Sequence, residues 1–378
     1  MRPALLVAVV AIAIAIPTAG YWAATQRTAV VSPAHPKWQK AADFSHFRVG
    51  ERNVKSMLME GNILWVGTSG GVVRYDTVTD QYRLIDNRSG LLANGIFHVS
   101  KLGGRLAVGT YGGGLSVMKP EGGWETYNIP DGLADAFVYS VLEAADGDVW
   151  IATWSGANRV RKGVLRDPAS WETFTVANTQ GGLPNDWVYA LAQGPDGAIW
   201  FATEGGLARY QDGKWHNWKH TDGVGAPYEL VRTQNADMHD PGAASEHHAR
   251  QKQEMGLQKV DVAYNPNYIV ALAVAHDGTV WCGTWGGGLA RFDGRSWKNF
   301  TVADGLPGNH VFMLMEDAKR RLWIGTGSGL ARYDGREFTR YTTADGLFAN
   351  NVFSAVAGDN GNLWIGSYGG VARIRGLP

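Results

Sequence analysis

Leu322-Trp323-Ile324-Gly325-Thr326, followed two residues later by Gly329-Leu330-Ala331-Arg332-Tyr333-Asp334-Gly335, is one copy of a phrase that recurs along almost the whole chain. The Trp position is occupied by Trp65, Ala107, Trp150, Trp200, Trp281, Trp323 and Trp364, in successive steps of 42, 43, 50, 81, 42 and 41 residues. A period slightly above 40 is the length of a four-stranded propeller blade, with one step widened by an insertion. Seven copies predict an all-β fold, a seven-bladed β-propeller.

The sixth copy reads strand by strand. Val311-Phe312-Met313-Leu314-Met315-Glu316 is apolar and bounded by turn residues, as an innermost strand should be. The second strand is expected over 321–326, the third over 330–333 and the outer one over 337–342, with Gly327-Ser328-Gly329 and Asp334-Gly335 as tight turns. Each blade exposes apolar faces that only its neighbours can bury. The second copy has Ala107 where the others have an indole, so a neighbouring side chain must fill that gap. The third is lengthened by residues 162–170. The last lacks an outer strand, whereas Phe44-Ser45-His46-Phe47-Arg48-Val49, upstream of the first copy, is an unpaired alternating segment. That segment is expected to complete the seventh blade and remove an exposed edge.

The 378 residues carry 35 Lys+Arg against 35 Asp+Glu, so nothing in the charge asks for nucleic acid. Fifty glycines and 16 tryptophans fit short strands, tight turns and one large ring per repeat. Cys282 is the only cysteine, which excludes an internal disulfide; inside a strand phrase it reads as a small buried hydrophobe. Residues 1–28 form a basic start, an apolar run and a small-residue tail, matching an export signal cleaved after Ala19 or Gly20. Residues 4–25 carry no charge and are long enough to span a bilayer as one hydrophobic helix, so an uncleaved signal-anchor is the alternative reading. Either way the propeller is expected to be exported, with 29–42 as a Pro-containing linker and 43–378 as the propeller.

With the repeats laid out, Leu-Trp-Ile-Gly-Thr, Gly-Leu-Ala-Arg-Tyr and Asp-Gly-Leu-Pro-Xaa-Asn resemble the two-component regulator propeller repeats. In that family such blades form the periplasmic sensing region of hybrid histidine kinases. The resemblance covers residues 53–374, and no kinase follows the seventh blade here. It therefore implies a sensor or interaction module that binds a ligand or a protein and does not itself phosphorylate one. A shallower resemblance lies in Gly194-Pro195-Asp196-Gly197-Ala198-Ile199-Trp200-Phe201, which is similar to a blade of the streptogramin lyases. Those share the architecture and use a histidine with a magnesium site.

Four strands per blade put the turns between second and third strands on the same face as the connections to the next blade. The position after each Thr is variable and rich in rings: Tyr111, Trp154, Glu204, Trp285 and Tyr368 among them. Just before the inner strands stand Asp186, Trp187, Asn267, Tyr268, Asn309, His310 and Asn350. Rings beside amides suit a peptide or a glycan, since flat faces stack while Asn and Asp orient polar groups. The competing reading is structural: rings packing over turns and asparagines bonding loop backbone.

The 81-residue step implies an inserted, partly helical arm over 221–264 on that same face. Asp240-Pro241 opens a helical pattern, with Glu246, Arg250 and Glu254 four apart. His239, His247 and His248 lie there too, but the last two are adjacent and diverge on a helix, so polar surface is expected and no metal or cofactor. The reading is a monomeric, non-enzymatic, exported binding propeller whose partner is a periplasmic or membrane protein, or a glycan or peptide. The alternatives are a lyase-like or hydrolytic enzyme using His310 or an insert histidine as base with Glu204 near a cation, and a scaffold without ligand.

Overall fold

The phrase around Trp323 folds strand for strand into one blade. In the computed structural model, which describes residues 43–234, 263–358 and 361–375, Val311–Glu316, Leu322–Thr326, Gly329–Tyr333 and Phe338–Tyr341 form an antiparallel four-stranded sheet. Four further four-stranded sheets repeat it, and one six-stranded sheet contains the remaining two blades. The inner strands neighbour one another in a closed cycle, the last lying beside the first. The chain is a ring of seven blades.

The six-stranded sheet is where the ring closes. One long strand, Asp43–Glu60, serves two blades. Its first part runs antiparallel to Leu363–Arg375, with Asp43 opposite Arg375 and Arg48 opposite Gly370, and supplies the outer strand of blade 7. Its second part pairs with Ile63–Thr68 as the inner strand of blade 1, Leu58 opposite Trp65. Phe47 stacks on Tyr75 at 4.6 Å and meets Trp364 edge-on at 6.3 Å, so the closing strand also fills the apolar seam between blades 7 and 1. The expected N-terminal strand is thus in place. The expected hydrophobic helix and linker lie outside the described residues, among which no helix is long and apolar enough to cross a membrane.

Each residue of the repeated phrase has a physical task. The indole is buried in the interface with the following blade; a buried ring of this size is worth about 4–6 kcal/mol of gross transfer free energy. Arg74, Arg159, Arg209 and Arg291, on the adjacent strands, and Arg373, farther along the Leu363–Arg375 strand, hold their guanidinium groups 5.2–5.9 Å from those rings. The glycine two positions after the indole is a close approach: a Cβ at Gly325 would lie 2.7 Å from the Val352 carbonyl oxygen of the next blade. The threonine is a clasp. Thr326 donates to the Gly329 carbonyl at 2.8 Å and accepts the Ser328 N–H at 3.1 Å, closing the turn to the third strand with a buried hydroxyl.

In Asp-Gly-Leu, the aspartate caps a short 3₁₀ turn. Asp304 accepts the Thr301 N–H at 2.8 Å, Gly305 takes a left-handed φ of 118°, and Leu306 is buried. At Ala107 the gap is met as expected. Leu165, from the lengthened connection of blade 3, joins the same apolar cluster, and Trp171 beside it donates to the Leu165 carbonyl at 3.0 Å. Cys282 is free and fully buried, and burial pushes its thiol far up.

Candidate functional site

Every inner strand carries the same irregularity, one residue after a fully buried Val or Ile. Val311 pairs with Thr326 and Met313 with Gly325, which leaves Phe312 as an extra residue with no partner across the ladder. The equivalent bulge residues are Lys55, Phe97, Tyr139, Tyr189, Val270 and Phe353. A bulge re-aims the side chain it frees. All seven of these residues are half-buried, whereas the residue before each is fully buried. They form a girdle at the mouth of the ring.

The girdle runs as a chain of contacts from Phe97 to Lys55. Phe97 meets Tyr139 at 4.6 Å, Tyr139 meets Tyr189 at 5.0 Å, and Tyr189 meets Tyr268 at 4.7 Å. In blade 5 the small Val270 is supplemented by Tyr268, stacked on Trp285 at 5.5 Å, and Trp285 reaches Phe312 at 5.7 Å. Phe312 meets Phe353 at 5.5 Å, and the Lys55 Nζ lies 4.7 Å from the Phe353 centroid. A second arc lies on the turns above: Tyr111 against Phe137 at 4.6 Å, Phe137 against Trp154 at 5.0 Å, and Trp154 against Trp187 at 4.1 Å. Tyr111 joins the two arcs through Phe97 at 5.4 Å.

Turns and connections share this face because they bond each other. Trp154 N–H donates to the Phe137 carbonyl, Glu204 N–H to that of Trp187, and Gly327 N–H to that of His310. Tyr111 and Tyr368 are exposed; Trp154, Trp187 and Trp285 are half-buried; Tyr268 and Glu204 are buried. Glu204 accepts from the Tyr189 hydroxyl at 3.4 Å. Burial, and then neighbouring charge including that of Glu204, raises the hydroxyls of Tyr139, Tyr189 and Tyr268, so all three stay protonated donors.

The acids and amides before the inner strands have a common structural task. Asp186, Asn267, Asn309 and Asn350 each accept, through the side-chain oxygen, the backbone N–H of the residue that opens the preceding connection: Val176, His220, Val302 and Thr343, at 2.5–3.0 Å. Asn94 does the same for Asn87 at 2.7 Å. Their oxygens fix the loops that carry the rings.

His310 is buried and donates from Nε2 to the Ala263 carbonyl at 2.9 Å, while Asn309 donates to Gln234 at 2.9 Å. Both described ends of the insert therefore dock on the connection before blade 6. Of the insert itself, a 3₁₀ turn at His220–Asp222 and a single α-helical turn at Tyr228–Val231 are described, and Asn265–Val274 already forms the inner strand of blade 5. That strand starts earlier than the apolar pattern indicates, because Asn265 pairs with Trp285 across an irregular register. The expected helix from Asp240, with His239, His247 and His248, lies outside the described residues.

Burial lowers the imidazoles of His310 and His98 to about 4, against a single carbonyl bond each. A folded value below the unfolded one of about 6.5 means the unfolded chain binds protons that the native chain refuses. Stability is thus expected to fall as the pH drops from about 6.5 to about 4 and to level off below, by on the order of 3 kcal/mol per histidine. Urea titrations at pH 7 and pH 4.5 check it. His310→Gln should lose part of the slope, and an unchanged slope in that variant would assign it elsewhere.

Residues 132–155, 182–205, 305–328 and 346–369 match the two-component regulator propeller model. Four of the seven blades carry two-component regulator propeller repeats. Each matched repeat runs from a glycine of the turn that follows an outer strand, through the bulged inner strand, to the turn after the second strand; it is the half of the blade that builds the aromatic face. No curated protein is similar enough to count as a relative.

Among solved structures, the propeller is similar to the extracellular domain of BT3049 of B. thetaiotaomicron, assigned to a hybrid two component system: TM-score 0.67, 20% identity, 87% of this chain and 40% of that one. The propeller repeats thus span less than half of that protein domain's length. It is also similar to a catalytically inactive virginiamycin B lyase of Staphylococcus aureus with quinupristin, at TM-score 0.61, 11% identity, 89% of this chain and 100% of that one. A third is YCF48 bound to D1 peptide, at TM-score 0.56, 12% identity, 88% of this chain and 96% of that one. At these identities the likeness is one of fold.

Proposed function

We propose that this chain is an extracytoplasmic sensor or interaction module whose aromatic face binds a peptide segment of a periplasmic or membrane partner. The observation that carries the reading is the girdle: seven bulges turn seven side chains to one mouth, five of them aromatic, and a second arc of rings continues onto the turns above. Buried rings with protonated hydroxyls offer stacking surface and hydrogen-bond donors, the combination that anchors peptide side chains. The repeats resemble those of sensor propellers, which supports export and a sensing role. YCF48, of similar fold, is a propeller with a peptide bound.

The lyase reading is less well supported. His310, its candidate base, spends its Nε2 on the Ala263 carbonyl, and among the described residues no three His, Cys, Asp or Glu side chains are grouped to hold a metal.

A photo-crosslinking residue placed at Tyr111 or Tyr368, compared with one at Asp146 or Arg336 on the turns of the opposite face, tests the assignment in exporting cells. Adducts to a protein are expected from the first pair. Adducts from the second pair alone would move the binding surface to the other face, and glycan retention without any protein adduct would replace the peptide by a glycan.

A further inference from the structure

Six of the seven bulge positions carry uncharged side chains; the seventh is Lys55. Its ammonium lies 4.7 Å from the Phe353 ring, and among the described residues it has neither a hydrogen bond nor an ion pair. Charged groups in other parts of the ring are treated differently. Lys101 pairs with Glu60, Arg159 with Asp148, and Arg321 with Asp317. A cation held against rings with no counter-ion loses hydration and recovers little of it from the ring quadrupole. Burial accordingly pushes the Lys55 amine down. The position costs stability as it stands, and an arriving anion would offset that cost.

We propose that Lys55 is the charge-recognising residue of the axial mouth, and that the group it takes is a carboxylate carried beside an apolar or aromatic body. The two parts of the ligand follow from two parts of the girdle. The body stacks among the rings of Phe312, Phe353 and Phe97, which offer nothing polar. The carboxylate accepts from the ammonium, a charge-assisted bond whose strength grows as water is excluded. In a peptide, that chemistry is either a chain end after an apolar residue or an acidic side chain next to one. A lysine suits the task better than an arginine on a wide planar fork, because a flexible stem and three donors can follow a single carboxylate along a seven-sided mouth. The proposal rests on the reading of this face as the binding surface and adds the chemical class of what binds there.

Two matched pairs of probes test it by calorimetry on the full chain. The first is N-acetylphenylalanine against its amide, and the second N-acetylglutamylphenylalanine amide against its glutaminyl counterpart. The charged member of at least one pair is expected to bind roughly tenfold or more tightly than the neutral member. A preference in the first pair assigns the chain end, and in the second the acidic side chain. Lys55→Met, which removes the uncompensated cation, should bring the ratio to about one and raise the melting temperature. Lys55→Arg should restore part of it.

Phe312→Ala should weaken charged and neutral probes alike, leaving the ratio intact. Equal affinities within both pairs, or a preference that survives in Lys55→Met, would overturn the role of Lys55 while leaving the face as a binding surface. Binding of none of the four probes at millimolar concentration would overturn both.

Discussion

A chain begun at Asn53, without the ten residues 43–52, will melt at least about 10 °C below one begun at Asp43, and over a broader range. The loss is larger than the length suggests. Six consecutive backbone pairings, from Asp43 opposite Arg375 to Arg48 opposite Gly370, disappear together and leave the third strand of blade 7 as an open edge. Phe47 goes with them, uncovering Tyr75 and Trp364 in the seam. The hydrogen bond from the Ser354 hydroxyl to the Val54 carbonyl, 2.9 Å, is then left to hold blade 7 to blade 1 without the strand that braces it. Thermal unfolding followed by circular dichroism, with size-exclusion chromatography for association through the open edge, gives the answer. Coincident melting curves for the two chains would show that closure contributes little.

Gly325→Val is expected to destabilise the ring by about 3 kcal/mol, at the upper end of what an overfilled core costs. The obstacle is backbone and cannot swing away: the new Cβ would sit 2.7 Å from the Val352 carbonyl oxygen, 2.8 Å from its Cγ1 and 3.0 Å from the Met313 Cβ. No unusual dihedral is involved, because Gly325 is not among the glycines of positive φ, so the effect isolates the approach of one blade to the next. The natural chain has alanine at the same place in blades 3 and 4, Ala152 and Ala202, both completely buried. Gly325→Ala should therefore cost less than the valine. Urea denaturation of the two variants checks the order; equal stability of Gly325→Val and the parent would mean that the blades can part freely.

Much of the fold was legible because the repeat phrase states each local need once per blade. The indole marks the interface, the glycine the close approach and the threonine the turn clasp, so their spacing counted the blades and left one outer strand to be found upstream. The girdle was not legible in the same way. Phe97, Tyr139, Tyr189, Phe312 and Phe353 follow a buried Val or Ile, and a regular two-residue alternation places them on the opposite side of the strand without saying that a bulge turns them to the mouth. The signal was present as a ring or a lysine at one fixed offset in six of seven copies. The polar residues of the candidate set are ambiguous in the sequence for a related reason. An asparagine that caps a loop and an asparagine that meets a ligand occupy the same kind of sequence, and only the bonds to Val302 and Thr343 distinguish them. The insert departs from the period altogether, so periodicity offered no frame for it.

Asp43 stands opposite Arg375 at the end of the shared sheet away from the turn at Tyr368, so both entry and exit of the ring lie on the side remote from the aromatic mouth. The polypeptide can be circularly permuted there: a short peptide joining those two neighbours would make the backbone endless, and a new cut in any outer connection would create fresh termini at a chosen blade. Placing that cut between blades 3 and 4 would keep every sheet intact while converting the present seam into an ordinary interior joint.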